Sequence, residues 1–138
     1  MKKIVALFLF CIPLITNAQS VENDIVGKWK GIEPGGNEIF FIFDNEGYAF
    51  IGYDGMMLGG KSFETEVGEK VRMTYSLNTK VLPMHLDLLM ESLTENRKMT
   101  MPMIFELVDK DHLKLLGDSE SSRPKEFNDE TLVLERVE

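Results

Sequence analysis

The most specific chemical pattern in this chain is Gly55-Met56-Met57-Leu58-Gly59-Gly60-Lys61-Ser62, which satisfies the phosphate-binding loop pattern in full. That chemistry needs a helix to begin directly after the Lys and Ser, so that backbone N–H groups and the helix dipole meet the phosphates. Residues 61–67 instead alternate, with Phe63, Thr65 and Val67 on one face and Ser62, Glu64 and Glu66 on the other, and Gly68 would cut a helix short. The stretch reads as a glycine-rich loop between strands.

Met99-x-Met101-x-Met103 is the second pattern, because thioethers are soft ligands that select Cu(I). Strand geometry puts all three on one face, but that face continues into Phe105 and Leu107. Met also occurs at 56, 57, 73, 84 and 90, so adaptable apolar lining accounts for the pattern more simply. His85 and His112 lie 27 positions apart with no His or Cys partner nearby, and His85-x-Asp87 falls on the solvent face. No Gly-x-Ser-x-Gly elbow occurs, and a Ser-His-Asp triad could be assembled only by free choice among many residues. The acidic residues in 109–111 and 118–120 sit in turns, where they suit turn chemistry better than Ca²⁺ binding. We therefore expect no catalytic residues, no cofactor and no metal site.

The elements that must position these residues come from 138 residues, the length of one ordinary domain. At 43% hydrophobic and 28% charged the composition is globular. The formal charge of -8, with no Lys/Arg cluster, opposes nucleic acid and anionic membrane surfaces alike. Lys2 and Lys3 precede a 12-residue apolar run over 4–15, and Asn17-Ala18-Gln19-Ser20 follows. That is the layout of a secretory signal peptide, and the run falls short of the roughly 20 apolar residues a spanning helix requires. Cys11 lies inside the apolar run after Leu9-Phe10, without the small residues of a lipobox. We expect cleavage after Ala18 or Gln19, export to the periplasm or beyond, and a single domain over 20–138. Cleavage leaves 13 basic and 23 acidic residues and no cysteine, so the mature chain has no disulfide, thiolate nucleophile or Cys-ligated zinc.

Period-2 alternation dominates from residue 25 onward. It predicts strands at 25–32, 38–43, 48–53, 61–67, 71–77, 84–91, 99–107, 112–116 and 132–137, with turns at 44–47, 68–69 and 109–111 and a polar loop at 117–129. Pro102 implies an edge or a bulge. We expect an all-β, antiparallel, up-and-down barrel of about eight strands, because closure leaves no unpaired edge.

Gly27-Lys28-Trp29 on the first strand and Arg136 on the last resemble the lipocalin signature, in which the Trp closes one barrel end beneath the Arg. Thr74-Tyr75-Ser76-Leu77, residues 83–87, Ile104-Phe105-Glu106-Leu107, Leu113-Lys114-Leu115, Arg123-Pro124-x-x-Phe127 and Leu134-Glu135-Arg136 follow in order. Over most of 25–137 the chain resembles a bacterial family of small lipocalin-like domains of uncharacterised function. It departs at Leu116, where many members carry Cys, which weakens a family-wide thiol role here. The resemblance implies a lipocalin-like barrel, structural roles for Gly27, Trp29 and Arg136, and an apolar ligand, although fold does not fix function. The candidate lining is Tyr48, Phe50, Met73, Tyr75, Met84, Met90, Met101 and Met103, and the expected partner is a small hydrophobic molecule. The alternative is a protein-interaction or inhibitor module acting through loops 54–60 and 117–129, with Cu(I) binding by methionines a third reading.

Overall fold

The computed structural model describes residues 18–118 and 122–138. The signal peptide assigned to 1–19 thus lies outside the described residues except for its last two positions. Those begin a short helix, α1 (Ala18–Asp24), which alternation did not predict. Nine strands follow: β1 (Gly27–Ile32), β2 (Glu38–Phe43), β3 (Ala49–Tyr53), β4 (Met56–Glu64), β5 (Lys70–Asn78), β6 (Met84–Ser92), β7 (Lys98–Asp109), β8 (His112–Gly117) and β9 (Leu132–Val137). They form a closed barrel in sequence order, every neighbouring pair antiparallel, β9 included with β1.

Nine strands cannot alternate in direction around a closed ring, because alternation needs an even number. β4 resolves the parity. Its first arm pairs with β3, through Tyr53↔Met56 to Phe50↔Gly59, and its second with β5, through Gly60↔Met73 to Glu64↔Lys70. Below the apex at Gly59-Gly60, β3 and β5 meet directly at the Tyr48↔Thr74 bridge and through Tyr75 N donating to Gly47 O at 2.9 Å. The ring therefore closes with eight strands at its base, and above the apex the two arms of β4 stand between β3 and β5.

The two glycines make the apex. Gly59 has φ 130° and Gly60 φ 80°, and a Cβ on Gly59 would lie 2.2 Å from Ala49 O and 2.6 Å from Phe50 Cα. The glycine-rich pattern is thus a bent strand, where sequence reading expected a loop over 54–60 and a strand only from 61. The true turn is Asp54-Gly55, with φ of 48° and 77°, a two-residue connection that suits the twist of the flanking strands. No helix follows Lys61 and Ser62, which remain in β4; Lys61 Nζ sits 5.6 Å from the Tyr48 ring centroid and 3.4 Å from Glu46 Oε2.

The base is filled. Ile25, Trp29, Phe43, Leu86, Phe105, Leu113, Leu115 and Leu134 are buried there, with Phe43 edge-on to Tyr75 at 5.0 Å between centroids. Arg136 closes the end. Its guanidinium lies 4.3 Å from the Trp29 ring centroid and donates to the carbonyls of Asp24, Val26 (2.8 Å) and Lys110 (2.8 Å), tying the end of α1 to the β7–β8 turn. A Cβ on Gly27 would meet Arg136 Nη1 at 2.5 Å, so glycine there leaves the guanidinium its place. Trp29 Nε1 donates to Ile25 O at 2.9 Å, which satisfies the indole in the core.

β7 outruns β8, whose last partner on it is Met103, so residues 98–102 pair only with β6. Pro102, which has no N–H to donate, occupies this local edge as expected. Beyond it, Arg123 Nη1 donates to Met103 O at 2.8 Å and Nη2 lies 2.8 Å from Asp87 Oδ1, covering the edge where β8 stops.

Candidate functional site

Above the filled base the inward positions of β3 to β7 border a half-open cavity of about 690 Å³. Alternation along each strand decides which residues reach it. Ile51 comes from β3, Leu58 and Phe63 from the two arms of β4, Val71 and Met73 from β5, Leu88 and Met90 from β6, and Met99 and Met101 from β7. Polar groups gather only at the mouth, where Thr65 and Glu69 of the β4–β5 turn approach Ser92, Arg97 and Lys98 of the β6–β7 turn. Arg97 Nη2 donates to Glu69 Oε2 at 2.5 Å and Arg97 Nε lies 3.0 Å from Glu95 Oε2. The Ser92 hydroxyl and then the Arg97 guanidinium hold the Glu69 carboxyl below the usual carboxylate range.

Of the residues expected to line a ligand site, Met73, Met90 and Met101 border this cavity. Met103 is buried deeper, and Met84 packs, half-buried, against the filled core opposite Phe105. Tyr75 is half-buried too, its hydroxyl donating to Asp44 O at 2.7 Å, and burial pushes its phenol pKa up, which keeps it a neutral donor. Tyr48 and Phe50 fall on the outer face, a correction with a specific cause. Asp44 N donates to Tyr48 O at 3.0 Å around a three-residue loop, Asn45-Glu46-Gly47, with Gly47 at φ 93°. The register is Phe43↔Ala49, whereas a four-residue turn over 44–47 would set Tyr48 opposite Phe43. That one-residue difference moves every side chain of β3 to the other face, so Ala49 and Ile51 point inward instead.

The lining residues that sequence reading missed are Ile51, Leu58, Phe63, Val71, Leu88, Met99 and the polar mouth. Counting the hairpin as a three-residue loop that ends in a positive-φ glycine would have found Ile51. The mouth residues carry no local signal, since the strand register alone brings residues 65–69 beside residues 92–98. Elsewhere, His112 Nδ1 lies 2.8 Å from Asp109 Oδ1 at the base, and this contact raises the imidazole pKa. Among the described residues no group of three or more His, Cys, Asp or Glu side chains is arranged to hold a metal ion. The chain matches no known protein-family model, no curated protein and no solved structure.

Proposed function

We propose that this protein is an exported, non-catalytic, lipocalin-like barrel that holds a small apolar molecule in the methionine-lined cavity. The observation that carries the reading is the division of the interior. Alternating inward side chains pack the eight-stranded base, yet beside the arms of β4 the same pattern borders a half-open cavity of about 690 Å³, within the size range of small-molecule sites. The walls are carbon and sulfur, and polar groups sit at one end only, which suits a molecule with an apolar body. Burying 200 Å² of such a ligand is worth roughly 5 kcal/mol before association costs. Export is supported by Lys2-Lys3, the apolar run over 4–15 and the small residues after it.

The test is native mass spectrometry of protein purified from its own cells, together with titration of an apolar fluorophore. A co-purified adduct and saturable binding are expected, with Met101→Glu weakening the fluorophore by about tenfold or more, because the ligand would have to bury a carboxylate. No binding across a broad panel of apolar probes would sink this reading. A second reading, a module that docks on a protein partner, is favoured by Met56 and Met57. They are 56% and 48% exposed and border an outer groove of about 410 Å³ with Phe40 and Tyr53.

A further inference from the structure

The strand register does something with methionine that composition does not require. Met73, Met90 and Met99 stand abreast on β5, β6 and β7, through the pairs Met73↔Met90 and Met90↔Met99. Met101 lies two residues along β7 from Met99, diagonal to Met90, and all four line the cavity. Directly paired residues have Cβ atoms about 5 Å apart and diagonal ones roughly 7 Å, and methionine has three side-chain torsions with which to bring its sulfur toward a common point.

We propose that Met73, Met90, Met99 and Met101 form a thioether site for a soft monovalent cation, Cu(I), for which Ag(I) is the redox-stable substitute. Soft sulfur donors in a wall with no imidazole select such an ion over Zn²⁺ or Ca²⁺. The oxygen donors of the mouth are few, and Glu69 is already engaged by Ser92 and Arg97. A single positive charge on neutral sulfurs is the smallest charge a metal can bring into an apolar cavity. The row also runs from solvent inward, with Met99 53% exposed and Met73 3%, so an ion can enter at the rim. Volume filling does not by itself account for the choice of residue. In the base the equivalent inward positions hold Leu86, Phe105, Leu113, Leu115 and Leu134, with Met84 and Met103 as the exceptions.

The site uses the cavity of the apolar-ligand reading but does not depend on it, and one set of titrations separates the two. Protein labelled with ¹³C at the methionine methyl groups is titrated with silver nitrate in chloride-free buffer. One ion per chain is expected, with the methyl resonances of Met73, Met90, Met99 and Met101 shifting together while those of Met56 and Met57 stay in place. In the triple variant Met73→Leu, Met90→Leu, Met99→Leu, silver affinity should fall by about 100-fold or more. Apolar-fluorophore affinity should change by much less than silver affinity in the same variant, since Leu removes the sulfur donors but keeps the walls apolar and near in volume. If the triple variant does not fold, Met90→Leu alone should lower silver affinity by about tenfold. Silver affinity unchanged in a folded Leu variant, or no saturable binding by the parent protein, overturns the proposal. Silver binding without any fluorophore binding upholds it and sinks the apolar-ligand reading instead.

Discussion

The base and the mouth of this barrel are built from one kind of sequence, strands that alternate inward apolar with outward polar residues, and they end differently. At the base, β3 and β5 pair directly, eight strands close the ring, and Trp29, Phe43 and the leucines fill it. At the mouth, the arms of β4 stand between β3 and β5, and the inward residues of β3 to β7 border the cavity. An eight-stranded barrel is just wide enough for its own side chains, and the cavity lies where the arms of β4 part β3 from β5. Alternation therefore tells which residues face inward but not whether they meet anything there; the pairing of the strands around them decides that.

Stability gives the largest handle on this contrast. Leu86→Ala removes a fully buried side chain in the filled half and should cost about 3 kcal/mol. Met90→Ala, on the cavity wall, should cost only about 1 kcal/mol, since it deepens an existing space instead of opening one. Denaturant midpoints at unchanged slope measure both, and equal losses would mean that the mouth is packed as tightly as the base.

Arg136→Ala probes how the base is sealed. Loss of the cation–π contact and of three bonds to backbone carbonyls should lower stability by about 2 kcal/mol and change Trp29 fluorescence. Arg136→Lys should rescue only part of this, because an ammonium keeps the charge but not the planar stacking. Apolar-fluorophore affinity should hold in either variant; its selective loss with stability intact would move Arg136 from the seal to the binding site.

The smallest effect is expected from pH at the base. His112, raised by its contact with Asp109, contributes stability that is complete below the ordinary imidazole value and lost as pH rises through its elevated pKa. Asp109, lowered first by the backbone N–H of Asp111 and then by His112, contributes above the ordinary carboxylate value and loses that contribution as pH falls through its depressed pKa. The pair is therefore intact between those two values. An NMR titration of His112 should show a midpoint above the usual 6.5 or so that falls back in Asp109→Asn, and a midpoint at the ordinary value in the parent chain would dismiss the contact.

Much of the fold was legible because period-2 patterning survives wherever one face is buried. β2 and β9 fall where alternation puts them, and β5 to β8 begin and end within two residues of it. Three features were not. Asp54-Gly55 was masked by the glycines beside it, so the first arm of β4 read as loop. α1 lies where the sequence reads as a cleavage region leading into the first strand, and at 7 residues it is too short to show a helical period. The face of β3 hinged on one residue of turn length. Within the candidate site, Met73, Met90 and Met101 were legible as inward residues of clearly alternating strands. The standing of Met73, Met90 and Met99 in one row was not, since cross-strand neighbours depend on register, which no single strand encodes.

The branch at Gly59-Gly60 has a consequence for how such a protein can change. Each arm of β4 adds girth only above the apex, so the lengths of the two arms act as a dial on cavity size. Lengthening or shortening this one strand would reshape the cavity while leaving the packed base untouched, so the size of the cavity and the stability of the fold are set by separate stretches of the chain.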